Sequence, residues 1–162
     1  MLRWGEFALT RPLLAARGRE LFYDFGGIGL GFLATVRPDG GPRVHPICPV
    51  LNDEGLYGFI VPGPKLADLH RDLRYSLHSE TFPPPRQDDA FVVTGSATWV
   101  HDAAVRERLA QQVLAERDLE RHWPGFEQEQ LVEFRLERCL LTLTQGDADF
   151  PAGHTIWRAR PM

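Results

Sequence analysis

The pattern that most constrains this chain is a series of β-rich runs divided by two tight-turn signals. The turns are Pro38–Gly41 and Asn52–Gly55, short clusters in which Asp, Asn and Gly let a chain reverse between neighbouring strands. The runs that they separate are rich in Val, Ile, Leu, Phe and Tyr, and they cover Leu30–Arg37, Arg43–Val50 and Leu56–Val61. This composition is typical of strands in an antiparallel meander.

The rest of the chain predicts further strands and three helices. The helices are expected over Pro12–Phe22, Pro64–Asp72, and from an Asp102 cap to about Arg117. Thr10 is a candidate cap for the first of them, with Leu13 and Leu14 in its apolar stripe. The remaining strands are expected over Arg74–Ser79, Phe91–Val100, Leu131–Thr144 and His154–Arg160. The sequence thus predicts a mainly β fold with helices (α+β), with about six to seven strands in one domain over residues 1–162.

Two of these strands carry signs of irregularity. The apolar residues of Leu131–Thr144 do not keep one parity, which predicts a bulge between Glu137 and Leu140. Pro46 and Pro49 lack a donor for the ladder, so the second run must bulge or lie at an edge.

The start of the second helix predicts an anion site. Gly63 allows close approach of the backbone, and Pro64 suits the first helical position. The free amides of the first turn, the helix dipole and the Lys65 ammonium would then meet at one spot, most naturally around a phosphate. Arg43 adds a second cation if the second run lies beside the third. The alternative is that Lys65 and Arg43 are solvated surface charges.

Side chains alternate along the second run, so Arg43, His45 and Ile47 share one face. His45 is therefore a candidate contact for a cofactor or a substrate, although a structural role is the commoner one for a strand histidine.

Composition excludes several classes of function. A net charge of −4 and a pI of about 5.8 argue against nucleic acid as a partner. No stretch is long and apolar enough to span a membrane, and no signal peptide is visible, so we expect a cytoplasmic protein. Cys48 and Cys139 lie far apart without metal-ligand spacing, and we expect both to be buried.

The run Leu33–Ile47 (LATVRPDGGPRVHPI), the Pro-Lys helix start and the strand RYSLH resemble the pyridoxamine 5′-phosphate oxidase-like family. These are flavin-binding split β-barrels, among them small flavin and deazaflavin reductases and general-stress proteins. The resemblance implies an FMN-binding, Greek-key-like split β-barrel. It also implies a homodimer that holds the cofactor at the subunit interface.

The resemblance implies two groups of cofactor contacts. The first comes from the second run and the helix start: Arg43, Val44, His45, Pro46, Val61, Pro64 and Lys65. The second reaches a flavin bound mainly by the other subunit and comprises Gln145, Trp157 and Arg158. For Trp157, a place in an apolar dimer core is an equally good hypothesis.

The leading hypothesis is an FMN-dependent oxidoreductase that transfers hydride or electrons to a small molecule. A reductase using the deazaflavin coenzyme is the alternative within enzymes. The alternative of another class is a non-catalytic flavin- or haem-binding carrier or sensor, with His45, His70, His78 and His154 as possible haem ligands. True pyridoxamine phosphate oxidases have a C-terminal Arg-x-His pair, whereas here His154 precedes Arg158, so we do not expect vitamin B6 oxidation.

Overall fold

The computed structural model describes residues 1–159, so that Arg160, the predicted end of the last strand, lies outside the described residues. The α-helices are α1 (Trp4–Thr10), α2 (Pro12–Phe22), α3 (Pro64–Arg71) and α4 (Ala103–Glu116), and a 3-10 helix covers Phe126–Gln128. The strands are β1 (Gly31–Val36), β2 (Pro42–Ile47), β3 (Val50–Leu51), β4 (Leu56–Ile60), β5 (Arg74–Ser79), β6 (Ala90–Trp99), β7 (Gln130–Leu143) and β8 (Gly153–Arg158). No helix within this range is long and apolar enough to cross a membrane.

All the strands pair antiparallel in one curled sheet, in the order β2-β1-β5-β6-β7-β4-β3, with β8 also pairing to β7. The α+β prediction is confirmed, and the fold is a split barrel. The strands of residues 1–159 number eight rather than six to seven, because the run Arg43–Val50 divides at Cys48 and Pro49 into β2 and β3. The predicted edge position is also confirmed, since among the described strands β2 pairs only with β1.

Strand β7 pairs with two different strands along one of its edges. Its first residues pair with β4 and its last six pair with β8, while β6 runs along the other side. The register with β6 shifts between Thr94 and Gly95, which leaves Glu137 as the extra residue of β7. The bulge thus falls at the edge of the predicted interval, and it separates the part of β7 that faces β4 from the part that faces β8. Leu2 bridges to Leu136 in the gap between them.

Helices α1 and α2 cover the hydrophobic core at one end of the sheet. Trp4 and Phe7 of α1 are 1% and 0% exposed, with ring centroids 5.4 Å apart in an edge-to-face arrangement. Helix α1 was not predicted, because seven residues are too few for a periodic pattern and its stability depends on burying these rings.

Two expectations about α2 were wrong. Thr10 is the last residue of α1, where its hydroxyl donates to the Phe7 carbonyl (2.9 Å), so the N-cap of α2 is Arg11. Leu13 is 58% exposed and lies outside the buried stripe, which holds Leu14. In α4 the predicted cap is confirmed, since Asp102 accepts from the amides of Ala104 (2.8 Å) and Val105 (3.1 Å).

The outer face of the sheet carries an apolar row. The strand register places six side chains opposite one another, in the order Pro46, Phe32, His78, Val92, Leu140 and Ile156. Five of the six are apolar, and every one is half-buried or exposed. This row is named the outer apolar row below.

Candidate functional site

A cavity of about 380 Å³ opens where the end of β2 faces β4 and the start of α3. Pro46, Ile47 and Cys48 form one wall, and Phe59 and Val61 form the next. Strands β2 and β4 do not pair with each other, so the space between them stays open to a ligand. This volume is within the range of small-molecule sites in proteins.

Cys48 lies in the wall of this cavity and is half-buried. The expectation that both cysteines are buried is therefore wrong for Cys48 and confirmed for Cys139, which is 0% exposed. The reason is the break after Ile47, which takes Cys48 out of the ladder and turns it towards the cavity.

The start of α3 has the features of an anion site. Gly63 holds the N-cap with φ 150°, a conformation that side chains rarely adopt, and no side chain caps this end. Pro64 follows at the first helical position, and the amides of Lys65 and Leu66 have no acceptor within the helix. These donors are therefore available to a ligand.

Lys65 is half-buried in the cavity wall and is the only lysine of the sequence. Its ammonium forms no hydrogen bond or ion pair with any side chain of residues 1–159. Burial lowers the pKa of Lys65, against the opposing effect of Glu129 and Cys48. A cation in this state gains from an anionic ligand that replaces its lost water.

Helix α4 and the segment after it form a roof over the cavity. Val113 and Arg117 reach it from α4 at an i,i+4 spacing, and Trp123 and Glu129 follow. The Trp123 ring packs edge to face on Phe59, with centroids 5.2 Å apart. The roof thus combines an aromatic surface with two charged groups.

Glu129 is a buried carboxyl of this roof, 9% exposed. It accepts a hydrogen bond from Trp123 Nε1 (3.0 Å). Burial raises the pKa of Glu129, and the Trp123 bond and the charges of Arg106, Lys65 and Arg117 oppose that rise. Cations and a carboxyl group therefore share one small volume.

Arg43 binds a buried carboxylate of α3. Its Nε donates to Asp68 (2.7 Å), and Asp68 is 2% exposed. Thr35 (2.9 Å) and Arg71 (3.2 Å) donate to the same carboxylate. In this structure Arg43 ties β2 to α3, and its predicted contact with a phosphate stays a prediction.

The other predicted residues of β2 point to opposite faces. Val44 is outward and 60% exposed, whereas His45 points inward and is half-buried. His45 Nε2 is shielded from solvent and has no hydrogen-bond partner among residues 1–159. A contact of either residue with a cofactor stays a prediction.

The second predicted group lies away from this cavity. Gln145 is exposed in the turn after β7, and Arg158 is exposed opposite Arg138. Trp157 is half-buried against Phe7, with ring centroids 4.8 Å apart. Of the ten predicted residues, this chain brings Pro46, Val61 and Lys65 into the cavity wall, beside Pro64.

Sequence reasoning missed the charged roof. Arg117 and Glu129 reach the cavity from more than 50 positions beyond Lys65 in the chain, so no local pattern joins them. One signal was present, since Arg117 lies one helical turn after the buried Val113 and so on the same side of α4.

Comparison with known proteins supports the fold. No family model and no curated protein matches the sequence. Among solved structures, an F420 reductase superposes with a TM-score of 0.58 at 18% identity, over 74% of this chain and 94% of the other. An FAD-binding protein from Mesorhizobium loti gives 0.57 at 21% identity, over 77% and 91% of the two chains.

A haem-binding protein from Mycobacterium smegmatis gives 0.63 at 13% identity, over 88% of this chain and 57% of the other. At these identities the likeness establishes the fold and leaves the cofactor open.

Proposed function

We propose that this protein binds FMN in the cavity beside Lys65 and acts as a flavin-dependent oxidoreductase. The observation that carries the proposal is a half-buried lysine without a side-chain partner among residues 1–159, at an uncapped helix start that opens into a partly aromatic cavity. A helix start and an ammonium suit the FMN phosphate. The fold's occurrence in an F420 reductase and an FAD-binding protein adds support by analogy.

When bound, FMN would supply the hydride or electron transfer. This chain's own residues bind and orient it. Lys65 neutralises the phosphate, the roof over the cavity excludes water, and the free backbone edge at the end of β2 can meet the polar rim of the ring. Residues 1–159 hold no group of three or more His, Cys, Asp or Glu that could bind a metal ion.

Replacement of Lys65 by alanine tests the proposal. A charge-assisted contact with phosphate contributes roughly 1.5–3 kcal/mol, so Lys65→Ala should weaken FMN binding about tenfold to a hundredfold. Riboflavin lacks the phosphate and should bind variant and parent alike. Fluorescence titration measures both affinities, and an unchanged FMN affinity in the variant would refute the phosphate assignment.

The visible spectrum of the purified protein decides among the cofactors. Flavin, deazaflavin and haem absorb in different bands. A flavin spectrum supports the proposal, a deazaflavin spectrum favours the reductase alternative, and a haem spectrum favours the carrier or sensor.

We also propose that two copies pair through the outer apolar row. A row of six side chains of which five are apolar is costly to leave in water, and a twofold contact covers both copies at once. That Gln145, Trp157 and Arg158 contact the partner's cofactor in such a dimer stays a prediction. Light scattering should give a mass near twice 18.4 kDa, and Val92→Glu, at the centre of the row, should lower it to that of one chain. A folded parent of monomer mass at micromolar concentration would contradict the dimer.

A further inference from the structure

Arg117 lines the same cavity as Lys65. It follows the last turn of α4, and its Nε is shielded from solvent without a hydrogen-bond partner among residues 1–159. No carboxylate of this part of the chain lies within ion-pair distance of its guanidinium. A shielded Nε–H without an acceptor is costly, and an anion in the cavity would provide one.

Arg43, the second cation indicated by the sequence, is bound through its Nε to a buried carboxylate in this structure. The Nε of Arg43 is bound to Asp68, which is buried and depends on Arg43, Thr35 and Arg71 for its hydrogen bonds. If Arg43 moved to a ligand, a buried carboxylate would lose one of these bonds. Within residues 1–159, Arg117 forms no ion pair, and its Nε has no hydrogen-bond partner.

The cavity wall carries two cations and two carboxyl groups. Lys65 and Arg117 supply two positive charges to the cavity wall. The carboxyl of Glu129 interacts with both of them and with Arg106 of α4. Glu80, the other acid of the wall, accepts from the Thr81 amide (2.8 Å). Lys65 and Arg117 have the sign and number of charges that suit a phosphate monoester, about −1.5 to −2 at neutral pH, and burial of Glu129 acts against a negative charge beside them.

Resting on the FMN site proposed above, we infer that the phosphate is held between Lys65 and Arg117. Arg117 is then the second cation of the site in place of Arg43. The planar guanidinium suits a bidentate contact with phosphate oxygens, and Lys65 adds a point charge with the amides of α3.

Titration of FMN and riboflavin into Arg117→Ala tests the inference. Loss of one charge-assisted contact should weaken FMN binding about tenfold or more and leave riboflavin binding unchanged. Arg121→Ala is the matched control, because Arg121 is exposed and outside the cavity wall. In the double variant with Lys65→Ala, the losses should not add, since both side chains contact one phosphate.

The outcomes separate the two proposals. If Lys65→Ala weakens FMN binding and Arg117→Ala does not, the FMN site stands and the role of Arg117 is refuted. If the parent binds neither flavin, the proposed function fails. The binding of an anion between Lys65 and Arg117 is then tested with inorganic phosphate as the probe.

That last test uses the single lysine. An amine-selective reagent can modify only Lys65 and the terminal amine in this sequence. Phosphate should slow the modification of Lys65 in the parent and should protect it less in Arg117→Ala, as mass spectrometry of the Lys65 peptide would show. Equal protection in the two proteins, or none in the parent, overturns the inference.

Discussion

Replacing Asp68 by asparagine should destabilise the fold, because this buried carboxylate joins three elements. Its oxygens accept from Thr35 of β1 (2.9 Å), Arg43 of β2 (2.7 Å) and Arg71 of α3 (3.2 Å). Asparagine has nearly the same shape and keeps an oxygen for Thr35. What it removes is the negative charge that both guanidinium groups face.

The size of the loss follows from these contacts. A hydrogen bond to a charged group contributes roughly 1.5–3 kcal/mol. The side chains of Arg43 and Arg71 are 29% and 39% exposed, so water replaces part of what they lose. We expect a net decrease of about 2 kcal/mol in the free energy of unfolding, or about 4–8 °C in Tm for a chain of this size.

The effect should depend on pH in a definite direction. Burial acts to raise the pKa of Asp68, but the hydrogen bonds from Arg43, Thr35 and Arg71 outweigh it and hold the pKa below 3.8. The ionised carboxylate therefore stabilises the fold fully above about pH 3.8, and the stabilisation is lost as the pH falls through the folded-state value. The difference between parent and variant should be constant near neutrality and should shrink in acid.

Urea unfolding at pH 7 and pH 3 measures this difference. Asp53→Asn is the control, because Asp53 is fully exposed and the loss of its contact with Arg19 should leave the free energy of unfolding almost unchanged. If Asp68→Asn is as stable as the parent at pH 7, or equally destabilised at both pH values, the role given to the carboxylate is incorrect.

Two further variants probe the site and the sheet. Glu129→Gln keeps the acceptor for Trp123 but removes a charge near the proposed phosphate, so it should strengthen FMN binding by about tenfold at pH values above the raised pKa of Glu129. The ratio of the FMN Kd of the parent to that of Glu129→Gln should approach one as the pH falls below that pKa. A ratio independent of pH would contradict the placement of Glu129 beside the phosphate. In Gly95→Ala, the added Cβ would stand 1.9 Å from the Arg135 carbonyl oxygen, so we expect a loss of about 1–3 kcal/mol in unfolding experiments. Ser96→Ala, on the next residue of β6, is its control, and equal stability of the two variants would argue against close contact at the bulge.

Local chemistry made much of the fold predictable. The turn at Asn52 forms as expected, since its side chain accepts from the amides of Glu54 and Gly55, each at 3.0 Å. The Pro64 helix start and the Asp102 cap were visible for the same reason, because each depends on a few adjacent residues.

The parts that depend on distant packing were missed. Helix α1 forms because Trp4 and Phe7 are buried by the rest of the chain, and no local propensity indicates it. The charged roof likewise exists only after α4 folds over the end of β2, which brings Arg117 and Glu129 to Lys65. A prediction from spacing therefore found one side of the cavity, and the charged groups of α4 and the segment after it were beyond its reach.

The position of β7 has a consequence for how the chain folds during synthesis. Strands β4 and β6 each keep one edge without a partner until residues 130–143 have left the ribosome. Four-fifths of the chain must therefore be made with two strand edges exposed, and such edges can pair with other chains. Closure of the barrel then involves contacts between residues far apart in sequence, including Leu2 with Leu136, which is a slow kind of folding step. Strand β7 joins β4 and β6 in the finished sheet, and because it is synthesised late, the nascent chain is prone to aggregation until β7 pairs with them.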